Sequence, residues 1–165
     1  MSATIKIYEL SASMAGTDKT SSTVRFKRAD NVTIDAVNPM TIPTVATNYS
    51  FTKHIRMFCA TAPGTSIDNL QVYTDGTGFG TGITVNASNA GGTYTTATTG
   101  ELSADIFDLF TKVSGAAVDL DAVHTAAVTA TGFMGDILHA QMGVTTTATS
   151  GTKTAETITW AYDEV

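Results

Sequence analysis

The chain has 165 residues, a formal net charge of −6, 15% charged and 42% hydrophobic residues. That length supports one domain with a real core, and the acidic balance disfavours nucleic acid or an anionic membrane as a main partner, because phosphate binding needs a density of Lys and Arg. The single cysteine excludes an internal disulfide. Roughly one residue in five is threonine, a β-branched type that suits pleated, half-exposed strand surfaces.

The start, MSATIKIYEL, lacks a basic region followed by a long apolar run, so no signal peptide is expected and the chain is expected to fold first in a cytoplasm. Thr4–Leu10 alternates, with Ile5 and Ile7 on one face and Lys6 and Tyr8 on the other, which predicts a strand. The small polar residues of Ser11–Lys19 predict a loop. Thr20–Arg28 reads as a second strand with Val24 and Phe26 inward. Arg25 and Lys27 then share a solvated face. Ala29–Thr47 carries Pro39 and Pro43 and reads as an irregular edge or connection.

Ser50–Ala60 is the clearest strand. Phe51, Ile55, Met57 and Cys59 fall on one parity, and His54, Arg56 and Phe58 on the other. Cys59 reads as a small buried hydrophobe, since the five-residue offset from His54 puts the two on opposite faces. Ala62-Pro63-Gly64 is a turn, and Ile67–Thr74 is a strand with Leu70 and Val72 as its core pair. The stretch YTDGTGFGTGITV, residues 73–85, then places glycines at 76, 78, 80 and 82. A dinucleotide fingerprint needs G-x-G-x-x-G before a helix, and a P-loop needs Lys-Ser/Thr. Here a strand pattern follows, Thr81–Ser88, so the expectation is a glycine-rich turn or bulge with Phe79 at its tip. Asp68 and Asp75 are a minor candidate cation pair.

Asn89–Thr99 reads as an exposed loop. In Glu101–Lys112 the residues Leu102, Ile106, Leu109 and Phe110 lie at helical spacing, with Ser103 as N-cap, which predicts one short helix. Val113–Phe133 is Ala-rich and ambiguous. Asp136–Thr145 reads as a strand with Leu138, Ala140, Met142 and Val144 inward. Thr154–Val165 reads as a closing strand with Ile158, Trp160 and Tyr162 on one face, which predicts burial of Trp160. The predicted fold is therefore all-β: an antiparallel β-sandwich, jelly-roll or Ig-like, with one short helix. It forms a single domain over 1–165, in which 1–19 is a candidate N-terminal arm able to add to a neighbour's sheet edge.

No catalytic constellation is expected. His54, His124 and His139 form no close metal-ligand pair in sequence, no Gly-x-Ser-x-Gly elbow occurs, and Asp105–Asp108 and Asp119–Asp121 read as solvated rather than as a glycosidase dyad. No catalytic, cofactor-binding or metal residues are assigned, and no cofactor is expected.

The segments GTDKTSSTVRFKRADNVTIDAVNPMTIPT, FTKHIRMFCATAPGTSIDNLQVYTDGTGFGTGITV and ILHAQMGVTTTATSGTKTAETITWAYDEV resemble virion structural proteins of tailed bacteriophages, most closely small β-sandwich capsid decoration or accessory head proteins. The resemblance covers most of the chain and carries no catalytic motif. It implies a non-enzymatic protein made in the host cytoplasm and placed on the capsid surface, where it binds the major capsid protein and stabilises the shell as a homo-oligomer, a trimer being favoured. The alternative is a receptor- or glycan-binding sandwich of the tail or fibre. The candidate partner contacts are Ile5, Ile7, Tyr8, Thr77, Phe79 and Tyr94, taken from the N-terminal strand and from loop tips that can nest on a partner.

Overall fold

The computed structural model describes residues 2–11, 15–89 and 93–165. Among these residues ten strands occur in chain order: β1 Thr4–Ser11, β2 Ala15–Asp18, β3 Thr47–Tyr49, β4 Lys53–Thr61, β5 Ile67–Thr74, β6 Ile83–Ser88, β7 Phe107–Asp108, β8 Val118–Asp119, β9 Gly132–Thr145 and β10 Ile158–Glu164. They build two antiparallel sheets of unequal size. The larger has seven strands in the order β2-β1-β4-β9-β6-β7, with β3 also on β9; the smaller has three, β10-β5-β8.

Sequence alternation explains the packing between them. Leu70 and Val72 of β5 and Val118 of β8 face Ile55, Met57 and Cys59 of β4, Val85 and Ala87 of β6 and Leu138 and Ala140 of β9 in one buried cluster. At about 25 cal/mol per Å² of apolar surface, this two-sided interior is the main stabilising term. The chain is a sandwich-like all-β fold, as its threonine-rich alternation predicts.

β9 is the long central strand, and it holds a wide irregularity of the larger sheet, beside a smaller register shift between Thr4 and Ile5 of β1. Ile55 of β4 pairs with Leu138, but Met57 pairs with Met134, so Gly135, Asp136 and Ile137 stand opposite Arg56 alone. This bulge needs a left-handed residue, and Gly135 sits at φ 64. A Cβ there would lie 2.6 Å from Leu70 Cδ1 and 2.7 Å from the Leu120 carbonyl.

Two predicted elements are absent. Thr20–Arg28 is not a strand. Its backbone makes scattered bonds, such as Arg28 N–H to the Asn38 carbonyl at 2.9 Å and Phe51 N–H to the Lys27 carbonyl at 3.0 Å, rather than a ladder. Nor is Lys27 solvated: it is 1% exposed, and its ammonium donates to the Thr33 carbonyl and to Asp35, both at 3.0 Å. Satisfying that buried charge dictates the local path more strongly than alternation does.

Glu101–Lys112 is not an α-helix. The Leu102 N–H donates to Gln141 Oε1 at 3.1 Å, Phe107 and Asp108 pair with Ala87 and Asn86 of β6, and only Leu109–Thr111 makes a 3₁₀ turn, capped by Asp108 rather than Ser103. A short helix is marginal alone, and here the sheet edge offers the backbone better partners. A second 3₁₀ turn lies at Ser114–Ala116.

The glycine-rich stretch crosses from one sheet to the other, because β5 belongs to the smaller sheet and β6 to the larger. Asp75 Oδ1 accepts from Thr77 N–H at 2.8 Å, the local turn expected of Asp-Gly. Gly82 has φ 77, and a Cβ there would meet the Ala148 nitrogen at 2.5 Å, so only glycine passes beneath that neighbouring loop. The segment treated as a candidate arm supplies β1 and β2, and β1 is hydrogen-bonded to β4 of this same chain from Thr4 to Leu10.

Candidate functional site: an open interior beside the edge strand

The mismatch between a seven-stranded and a three-stranded sheet leaves part of the larger sheet without a facing strand. The irregular segment 19–40 and the loop 151–156 cover that area incompletely. Between them lies a cavity of about 760 Å³ whose apolar walls include Ile7, Val24, Phe26, Met142, Ile158 and Trp160. These six pack against the core cluster but remain only partly buried, because one side of each faces the opening. Trp160 therefore sits at the edge of the interior, not within it. The volume is in the usual range of ligand sites, which run from about 300 to 1,000 Å³.

The charge of this lining differs from that of the chain. Lys19, Arg25 and Lys153 line the cavity together with a single acidic residue, Glu156, whereas the whole chain has nine Lys and Arg against fifteen Asp and Glu. Lys19 is already engaged, as its ammonium donates to the Val32 carbonyl at 2.7 Å and lies 3.5 Å from Glu9 Oε2. Lys153 donates to Thr149 Oγ1 at 2.9 Å on the surface.

Beside the cavity is a layer of buried charge. Glu9, 1% exposed, receives the Lys53 ammonium at 2.8 Å. The consecutive carbonyls of Asn31, Val32 and Thr33 each take one lysine ammonium, from Lys53, Lys19 and Lys27. The 31–35 backbone is thus fastened to the sheet by three cations that alternation alone does not distinguish from surface lysines.

On the outer face of the larger sheet, His54 and His139 are cross-strand partners with rings 4.7 Å apart, and Tyr94 packs 4.6 Å from His54. Thr95 Oγ1 lies 3.4 Å from His54 Nε2. Burial, with the neighbouring His139 and Lys53, pushes the His54 imidazole down to about 4; burial also lowers His139. The third imidazole, His124, donates from Nδ1 at 2.8 Å to the buried Asp136 carboxylate, which also accepts the backbone N–H groups of Val123 and His124. Asp136 thereby caps a loop. Asp121 and Asp119 also meet: burial raises the Asp121 carboxyl, while a hydrogen bond from Asp121 lowers Asp119. The Leu70 N–H donates to Asp121 at 3.2 Å, so this pair joins the loop to β5.

The six residues selected from sequence scatter. Ile5 and Ile7 pack on the core from β1, and Ile7 reaches the cavity. Tyr8 points to the other face, with Phe58 and Phe133 at 5.0 and 5.8 Å. Thr77 is exposed in the crossover, Phe79 meets Phe110 edge-on at 5.4 Å and lines the cavity, and Tyr94 covers His54. Only Ile7 and Phe79 come together at one site. Arg25, Lys153 and Trp160 line the same cavity, and of these only Trp160, beside Ile158 on the closing strand, has a signal in the sequence.

Asp68 lies near the start of β5 and Asp75 just past its end, so they do not converge on a cation. Among the described residues no group of three or more His, Cys, Asp or Glu is placed to hold a metal ion, and no helix is long and apolar enough to cross a membrane. Cys59 is fully buried, and burial raises its thiol further from the reactive thiolate form. No protein-family model, no curated protein and no solved structure matches this chain.

Proposed function

We propose that this is a non-enzymatic virion structural protein that binds the capsid shell as a homo-oligomer and stabilises it. The observation that carries the reading is the segment 34–45, which forms no strand and exposes Ile34, Val37, Ile42 and Val45, Val37 at 61% and Val45 at 76%. Four large apolar side chains exposed within twelve residues are what a contact with a neighbouring subunit would cover. Many weak contacts of that kind add when copies are held on a lattice. The bacteriophage resemblance supplies the nature of that lattice.

A receptor- or glycan-binding tail module is the second reading, favoured by Trp160 and Phe79 at an open cavity beside Thr152 and Thr154. Immunogold labelling and cryo-electron microscopy of virions with an antibody to the purified chain separate the two. Label on the capsid surface in clusters is the expected result. Label on the tail supports the second reading, and absence from virions overturns both.

A further inference from the structure

We propose that the cavity and the free edge of β10 together form an acceptor for an extended, acidic-flanked apolar arm of a partner protein, which completes the smaller sheet as an added strand. Two independent observations converge on it. β10 ends the three-stranded sheet: β5 pairs with one side, and among the described residues the other side has no ladder partner. The cavity reaches this strand: Ile158 and Trp160 of β10 line it together with Ile7 of β1 and Val24. An added strand has side chains of period two. Its inward residues would fill the apolar space while its backbone pairs with β10, the combination that gives strand addition both affinity and specificity.

The occupant's chemistry follows from the lining. Lys19 is already neutralised by Glu9, which leaves Arg25 and Lys153 against the single carboxylate Glu156 in the lining, and this balance favours acidic residues at the ends of the arm. A second copy supplies no such arm from β1 or β2, because both are already paired within their own sheet. The inference rests on the assembly reading only for the partner's identity. Its test uses peptides, so the two can fail separately.

Trp160 is the only tryptophan, so its fluorescence reports occupancy directly. The full chain is titrated with ten-residue, end-blocked peptides in which Val, Ile, Leu or Phe alternates with Thr and an Asp stands at each end. Scrambled peptides and dodecanoate serve as comparisons. The expected result is a blue shift with at least one alternating peptide below millimolar concentration, at least tenfold stronger binding than its scramble, and slowed amide exchange over β10. Ala155→Phe, which fills the cavity from an exposed position, weakens binding at least tenfold, and Arg25→Glu with Lys153→Glu at least fivefold. Three outcomes overturn the proposal: no alternating peptide binds; binding leaves β10 exchange unchanged; or dodecanoate alone binds. Concentration-dependent self-association that is blocked by Ala155→Phe would assign the site to a second copy and overturn it likewise.

Discussion

Glu9 shows how much depends on single side chains. It is a buried carboxylate with Lys53 at 2.8 Å and Lys19 at 3.5 Å. Removing its charge leaves two ammonium groups in a desolvated site with only carbonyl partners. Breaking a buried pair from one side costs about 3–5 kcal/mol. Glu9→Gln is therefore expected to lower stability by that order, read as a fall in the urea midpoint. A loss under about 1 kcal/mol would mean that water reaches the pair.

His54 carries the opposite sign of charge effect. Its imidazole titrates at about 4 when folded, against about 6.5 unfolded, so the unfolded chain binds the extra proton first. The neutral ring's contribution is complete above pH 6.5 and is lost as pH falls from there to about 4. Over that window the loss is up to about 3 kcal/mol at 1.36 kcal/mol per unit. Chemical denaturation from pH 7.5 to 4 should show a steeper decline for the wild type than for His54→Gln. Parallel curves would refute the assignment.

At the scale of elements, the bulge in β9 is the feature with the least tolerance. Gly135→Ala must hold a Cβ against the Leu120 carbonyl at 2.7 Å, at φ 64. Backbone strain and the steric clash together predict a loss of about 2–4 kcal/mol, measurable by thermal or urea unfolding, with Gly80→Ala as a comparison because its Cβ would meet nothing within 4 Å. A Gly135→Ala loss equal to that of Gly80→Ala would show that the bulge relaxes freely.

Strands whose alternation faces a plain apolar interior were legible from the sequence: β5 matches its expected bounds, and β1, β4, β6 and β10 lie within a few residues of theirs. The β9 strand begins four residues earlier than expected, at Gly132, because a bulge disguises its period. The errors at Thr20–Arg28 and Glu101–Lys112 share a cause. In the first the buried Lys27 ammonium is drawn onto the Thr33 carbonyl and Asp35, and in the second the buried Gln141 amide accepts the Leu102 N–H; periodicity carries no information about such polar partners.

For the whole molecule, the threonine-rich alternation, the scarcity of charge and the turn residues determined an antiparallel all-β fold, because side-chain period and turn chemistry are local properties of the chain. The candidate site was legible only in fragments, as Ile7 and Phe79. Only the tertiary structure decided that the sheets would be unequal, that β10 would stand at an edge beside an open apolar interior, and that three lysines would turn inward onto one stretch of backbone. Those features depend on which strands pair and which charges meet across long sequence separations, and no local pattern specifies either.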